Sequence, residues 1–236
     1  MDSPPQEATA FPEGHLPNMQ EAARALANRD IPLVEYGQQI QWRFGYDVVL
    51  TAMPDALLSL SSQILSDHGS PRVSPSTVEN YRHTASEDGC IVHKLDSASL
   101  IYLYPLSLVG FTLRDTVEAE STFDPTLKIL TPQPRVYMSS LICYLLEHPL
   151  EDCTRRRVTN DLLSFITFYV LRYEPLDTKS GESAEDESEE AYQERIEEGL
   201  KMMKSWDWDA DEKDYLPIAE SVVRDCRSIE TLTSCG

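Results

Sequence analysis

Apolar positions recur every three to four residues over NMQEAARALANRD, with Ala22, Ala23 and Leu26 on one face and Asn18 placed to cap its start, which predicts a helix. IPLVEYG then reads as a short strand ended by Gly37, QQIQWRFG as a two-turn helix stopped by Gly45, and YDVVLTAM as a β-branched strand. That strand runs into MPDALLSLSSQILSDHG, where Pro54 suits a first helical position and Gly69 a helix stop. The opening order is therefore α-β-α-β-α. GCIVHKLDSASLIYLYPLSLVGF alternates well enough for two strands around the polar turn DSAS, and TLKIL predicts one more short strand. PRVYMSSLICYLLEHP and TRRRVTNDLLSFITFYVLRY predict two long helices. AYQERIEEGLKMMKSW, with Tyr192, Ile196, Leu200 and Met203 at helical spacing, and YLPIAESVVRDC complete a helical C-terminal region. No internal repeat is visible.

Charge changes this picture by dividing the chain. Residues 1–17 are rich in proline and small polar residues and read as a flexible N-terminus. Residues 18–173 hold nearly all the long apolar runs and form the expected α+β body. From Glu174 to Asp214 there are 16 acidic and 5 basic residues, opening with DTKSGESAEDESEE, which repels itself too strongly to pack. Residues 174–190 are thus an acidic linker, and 191–236 a helical C-terminal segment. Over all 236 residues, 40 Asp+Glu oppose 20 Lys+Arg, a net charge of −20, which argues against general affinity for nucleic acid phosphates or anionic lipid.

Five cysteines, Cys90, Cys143, Cys153, Cys226 and Cys235, are too irregularly spaced for a disulfide framework and form no CxxC pair. The N-terminus has neither a basic nor an apolar region of the signal-peptide type, and the longest apolar run, Leu162 to Leu171, is short of the roughly 20 residues a membrane span needs. The expected location is cytoplasmic, or nuclear, and not secreted. No G-x-S-x-G, H-E-x-x-H, G-x-x-x-x-G-K-[ST] or G-x-G-x-x-G occurs, which removes the main support for hydrolase, zincin, P-loop and Rossmann chemistry.

A helix, a strand ended by Gly37, a short amphipathic helix, a strand with Asp47 at its start and a helix introduced by Met53-Pro54-Asp55 together resemble the opening of the nucleotidyltransferase fold. In particular, ALANRDIPLVEYGQQIQWRFGYDVVLTAMPDALLSLSSQIL is similar to a diverse group of fungal proteins with that fold, the likeness extending over roughly residues 18–111. The resemblance implies a mixed sheet flanked by helices. It also implies a site: a Gly-Gly or Gly-Ser turn approaching a triphosphate, a D-x-D or D-x-E pair holding divalent metal, and a third carboxylate on a later strand. Two hard cations need such oxygen ligands to bridge the attacking and leaving oxygens. Here the turn is Gly37-Gln38, and the pair is reduced to Asp47 with Val49 in the partner position. For a third acid, later strands offer only Asp96, which the pattern places in a turn.

Other candidates carry a bland reading beside a sharp one. His93, in CIVHKL, is expected to line a cleft or face water without a partner. His148 precedes Pro149 at a helix end, where the dipole favours it. Arg155, Arg156 and Arg157 point in different directions and read as a solvated face. Trp206 and Trp208 alternate with Asp207 and Asp209, an acidic-aromatic motif suited either to docking a basic partner or to anchoring the C-terminal segment. Asp207, Asp209 and Asp211 imitate the start of a calcium loop, but Glu212 and Ile218 stand where glycine and glutamate are needed.

Two functions follow. The preferred one is a non-catalytic protein of nucleotidyltransferase-like fold that binds a protein or small ligand, without a cofactor. The alternative is a divergent nucleotidyltransferase, or an accessory enzyme in fungal specialised metabolism, using Mg²⁺ at Asp47 with carboxylates supplied from elsewhere.

Overall fold

A computed structural model describes residues 16–36, 49–73, 89–95, 100–110, 112–121, 124–150, 155–173, 187–210 and 212–232. The architecture is α+β, a mixed sheet with helices followed by a helical C-terminal region, and the chain divides into two compact units, residues 1–133 and 134–236. The division expected from composition falls later, after residue 173. The expected helix QQIQWRFG and the acidic run 174–186 lie outside the described residues.

In the first unit, helix α1 (Leu16–Ala27) buries Met19, Ala22, Ala23 and Leu26, one stripe at the expected spacing. The helix begins at Leu16, so Asn18 lies inside its first turn and does not cap it. It ends where Ile31 N–H returns to the Leu26 carbonyl and Asp30 takes φ of 56°, a left-handed conformation that aspartate tolerates. Strands β1 (Val34–Glu35) and β2 (Val49–Met53) follow. Pro54 precedes a 3₁₀ turn, Asp55–Leu57, that leads into α2 (Leu58–Asp67). Gly69 stops α2 as predicted, at φ 86°, with Ser70 N–H closing onto the Leu65 carbonyl.

The remaining strands are β3 (Ile91–Lys94), β4 (Leu100–Pro105), β5 (Thr116–Glu120) and β6 (Lys128–Pro132). Among the described residues the sheet order is β3-β4-β2-β1-β6-β5, with β1–β2, β3–β4 and β5–β6 antiparallel and β2–β4 and β1–β6 parallel. A core joins α1 and α2 to the sheet through Leu26, Leu65, Met53, Ile101, Leu103 and Ile129. Edge strand β5, Thr-Val-Glu-Ala-Glu, is largely exposed and is not expected from the sequence, because its apolar face carries only Val117 and Ala119. A buried carboxylate secures the β5–β6 turn: Asp124 accepts from the Thr126 hydroxyl at 2.7 Å and from Arg24 Nε at 2.7 Å, bonds that hold its pKa below the usual range.

In the second unit, α3 (Pro134–Glu147) is buried along most of its length, including Tyr137, Met138, Leu141, Ile142 and Leu145. Helix α4 (Arg155–Phe165) continues into one π-helical turn, Ile166–Val170, which ends at Arg172 with φ 56°. Helix α5 (Glu189–Lys204) is capped by the Ser188 side chain, carries Glu189 and Glu190 in its first turn and Lys201 and Lys204 in its last, and so complements its own dipole. Its buried stripe is Ile196, Gly199, Leu200 and Met203. Helix α6 (Tyr215–Arg224) buries Ala219, Val222 and Val223, and a 3₁₀ segment, Cys226–Thr231, follows. No helix among the described residues is long and apolar enough to cross a membrane.

Candidate functional site

The strand ends of the first unit define one end of the sheet. Glu35 pairs with Thr51, which sets the finish of β1 beside the start of β2. Strand β4 runs parallel to β2 and begins at the same end, with Val49 registered on Ile101. Gly37 and Gln38, which follow β1, and Asp47, which precedes β2, lie outside the described residues, as does Asp96. What the neighbouring strand contributes is visible. β4 reads Leu-Ile-Tyr-Leu-Tyr-Pro and carries no carboxylate. The position where the resemblance wants a second metal-holding acid, Val49, is registered against a core residue, Ile101, that is 2% exposed.

Alternation along β4 divides its side chains. Ile101 and Leu103 join the core with α1 and α2, so Tyr102 and Tyr104 stand on the opposite face, ring centroids 6.4 Å apart. Tyr36, immediately after β1, meets Tyr104 at 5.8 Å. All three are buried, so aromatic rings line this part of the sheet face. Among the described residues, no three His, Cys, Asp or Glu side chains gather where they could hold a metal ion.

His93 is the first correction to the sequence reading. It is fully buried and has two partners: Nδ1 lies 2.7 Å from the Ser70 carbonyl and Nε2 lies 2.8 Å from Ser62 Oγ. Because a carbonyl only accepts, Nδ1 carries the proton, and Nε2 accepts from the serine hydroxyl. Burial pushes the ring's pKa below its ordinary value, against the opposing pull of the Ser70 carbonyl. A serine bonded to a neutral imidazole is the pairing of a nucleophile and its base. Here, however, Ser62 and His93 are both buried and the group joins α2, the turn after it and β3. It is a polar staple in the core. The missed signal was the serine-rich stretch Leu58–Ser62 on a helix whose other face is aliphatic.

The arginine cluster is the second correction. Arg155 is buried, not solvated: its guanidinium donates to the carbonyls of Leu145, His148 and Leu232, closing the end of α3 and the C-terminal segment. Arg157 pairs with buried Asp161 at 3.1 Å, and only Arg156 faces water. His148 stacks on Tyr144 with centroids 3.7 Å apart, and its Nδ1 reaches the Tyr144 carbonyl at 3.0 Å.

The two tryptophans have different positions. Trp208 is buried, and its indole N–H donates to the Met203 carbonyl at 2.8 Å, so it anchors the segment after α5. Trp206 is half-buried and lies 5.8 Å from Trp208 and 6.4 Å from Tyr169. Tyr169 itself stacks on Phe165, centroids 5.0 Å apart, and is 39% exposed. Between the tryptophans, Asp207 is exposed at the tip of a tight turn closed by Trp208 N–H to the Trp206 carbonyl at 3.0 Å. Asp209, the other acid of the motif, pairs with Arg135 at 2.9 Å, and Arg135 also bonds Glu212. These acids are therefore partly consumed in structure. Tyr169 escaped the sequence reading because it is 37 residues from Trp206 and sits in a π turn that shifts the helical register.

No family model and no curated relative matches the chain. Among solved structures it is similar to the solution structure of the antibiotic-resistance factor ANT(2'')-Ia, with 10% sequence identity and a TM-score of 0.41, covering 64% of this chain and 86% of that one. At that level of likeness neither the reaction nor the ligands of that protein transfer to this chain.

Proposed function

We propose that this chain acts by binding, and that its first unit keeps the element order of a nucleotidyltransferase-like fold without the metal-holding acids that nucleotidyl transfer requires. The partner is a protein or small ligand, met in the cytosol or nucleus. The observation that carries this reading is strand β4, Leu100–Pro105, which lies parallel to β2 and brings tyrosines and aliphatic residues, and no carboxylate, beside it. Val49 in place of the second acid supports it. Two metal ions held between oxygen ligands are the engine of such a transfer, and a single carboxylate holds Mg²⁺ weakly.

The test is an electron paramagnetic resonance titration with Mn²⁺ in about 0.15 M salt, where diffuse attraction to an acidic chain is screened beyond roughly 8 Å. The reading predicts superimposable titrations for the wild type and Asp47→Ala. A discrete Mn²⁺ site present in the wild type and absent from Asp47→Ala would overturn it and favour the divergent transferase.

A further inference from the structure

The structure assigns a docking edge to strand β5, where an extended segment of a partner protein, alternating basic and apolar residues, adds to the sheet beside Glu118 and Glu120. This rests on the reading that the chain acts by binding and names the chemistry of the partner. Among the described residues the two edges of the sheet end differently. At β3 the chain covers its own edge: Val73 N–H donates to the Val92 carbonyl and Lys94 N–H to the Pro71 carbonyl, each at 2.9 Å. At β5, Ser121 N–H donates to the Leu127 carbonyl and Gln133 N–H to the Asp115 carbonyl, each at 2.9 Å, while Leu130, registered on Glu118, turns its N–H away to the Leu33 carbonyl. In an antiparallel ladder the bonded residues alternate. Asp115, Val117, Ala119 and Ser121 therefore bond towards β6, and Thr116, Glu118 and Glu120 turn their backbone groups outward. Thr116 N–H closes back onto the Leu113 carbonyl. The N–H and C=O groups of Glu118 and Glu120 have no hydrogen-bond partner among the described residues.

The side chains decide what such a strand must be. Alternation puts Glu118 and Glu120 on one face of β5 and Val117 and Ala119 on the other. Val117 is 48% exposed, and both glutamates face water. Lys128 of β6 meets Glu118 at 2.6 Å, and Glu120 closes no ion pair among the described residues, so this face of the edge stays negative. A second copy of the chain is a poor occupant, since pairing β5 with itself sets glutamates against one another, and like charges directly opposite destabilise a sheet. A strand with Arg or Lys on the glutamate face and Val or Ile on the other suits both faces, its main chain supplying the bonds and its side chains the choice of partner. The net charge of −20 adds attraction for a basic segment.

The experiment is a calorimetric titration of the full chain with the peptide acetyl-(Arg-Val)₃-amide in about 0.15 M salt. Saturable binding is expected, and none with acetyl-(Glu-Val)₃-amide. Because a strand bonds a given neighbour through alternate residues, N-methylation of the arginines and N-methylation of the valines are expected to act unequally, one weakening binding about tenfold and the other less than about threefold. Diffuse attraction to an acidic chain treats the two peptides alike. On the protein, Glu118→Pro removes an outward N–H where an edge strand tolerates proline, and is expected to bind about tenfold more weakly than Glu118→Gln. Glu120→Lys is expected to weaken binding about fivefold, whereas Glu194→Lys, an equal change of net charge at an exposed position of α5, alters it less than about twofold. The peptide comparisons use the wild type and do not depend on how Glu118→Pro folds. The inference is overturned by absence of saturable binding, by equal affinity for the two N-methylated peptides, or by a wild-type dimer in sedimentation velocity that Glu118→Pro dissolves, which would give the edge to a second copy. The Mn²⁺ titration reads Asp47 and not this edge, so failure of that test is distinguishable from failure of this one.

Discussion

The Ser62 hydroxyl donates to Nε2 of His93 across 2.8 Å, inside a core that leaves the imidazole no exposed surface. The unfolded chain protonates this ring near the ordinary value of 6.5, whereas the native ring has a lower pKa because burial disfavours its charge. Between those two values the unfolded state binds a proton that the native state does not, so stability rises with pH. The contribution is complete above pH 6.5 and is lost as pH falls towards the native value. Thermal melts are expected to show a lower midpoint at pH 5.5 than at pH 7.5, with a smaller difference in His93→Gln. Ser62→Ala at neutral pH leaves a buried acceptor unpaired and is expected to cost about 2 kcal/mol in a urea titration. An equal pH dependence in wild type and His93→Gln would contradict this account.

Much of the secondary structure is legible in the sequence, because periodicity records which face is buried. The stripe of Met19, Ala22, Ala23 and Leu26 and the Gly69 stop follow directly from spacing and backbone sterics. Strand β5 was not legible, since an exposed edge strand carries charge on one side and little apolar surface on the other. Partners distant in sequence were illegible for a different reason. Nothing in CIVHKL names Ser62, and nothing in a run of three arginines says which one turns inward. The candidate nucleotide site was legible only as residue types at Gly37, Gln38, Asp47 and Val49, and the first three lie outside the described residues.

Arg155 tests the inward turn. Its guanidinium meets three carbonyls from two separate parts of the chain, and truncation leaves all three without this donor. Arg155→Ala is expected to destabilise by about 3 kcal/mol, the scale of a lost buried charge-assisted network. Arg155→Lys recovers only part, because an ammonium lacks the planar fork that spans separate acceptors. Arg156→Ala, at an exposed position, is expected to fall within about 0.5 kcal/mol of wild type. Chemical denaturation of the three variants checks the ranking.

Gly199 lies in the buried stripe of α5, where an added Cβ would meet Val170 Cγ1 at 3.0 Å and the Val170 carbonyl at 3.2 Å. Alanine gains about 1 kcal/mol of helix propensity over glycine. Overpacking against a backbone atom that cannot move aside costs about 1–3 kcal/mol. Gly199→Ala is therefore expected to be destabilising by about 1 kcal/mol in a thermal or urea melt. A stabilised variant would show that α5 does not approach the π turn this closely.

Cysteine reactivity gives a fourth check. Burial pushes the Cys143 thiol above its ordinary value, and Tyr215, bonded to it, is itself pushed up to about 12. Cys226 is exposed. Iodoacetamide at pH 8, followed by peptide mass spectrometry, is expected to alkylate Cys226 several times faster than Cys143, because the thiolate is the reacting form. Equal rates would contradict the placement of the Cys143 thiol, on α3, against Tyr215 of α6.

The central proposal is that the first unit binds its ligand and does not transfer nucleotidyl groups. Its most direct measurement is calorimetric titration of the full chain with ATP, GTP, CTP and UTP, each with and without Mg²⁺ or Mn²⁺, beside Asp47→Ala. The account predicts no metal-dependent nucleotide binding that distinguishes wild type from Asp47→Ala. Metal-dependent binding of any of the four that is lost in Asp47→Ala would contradict it.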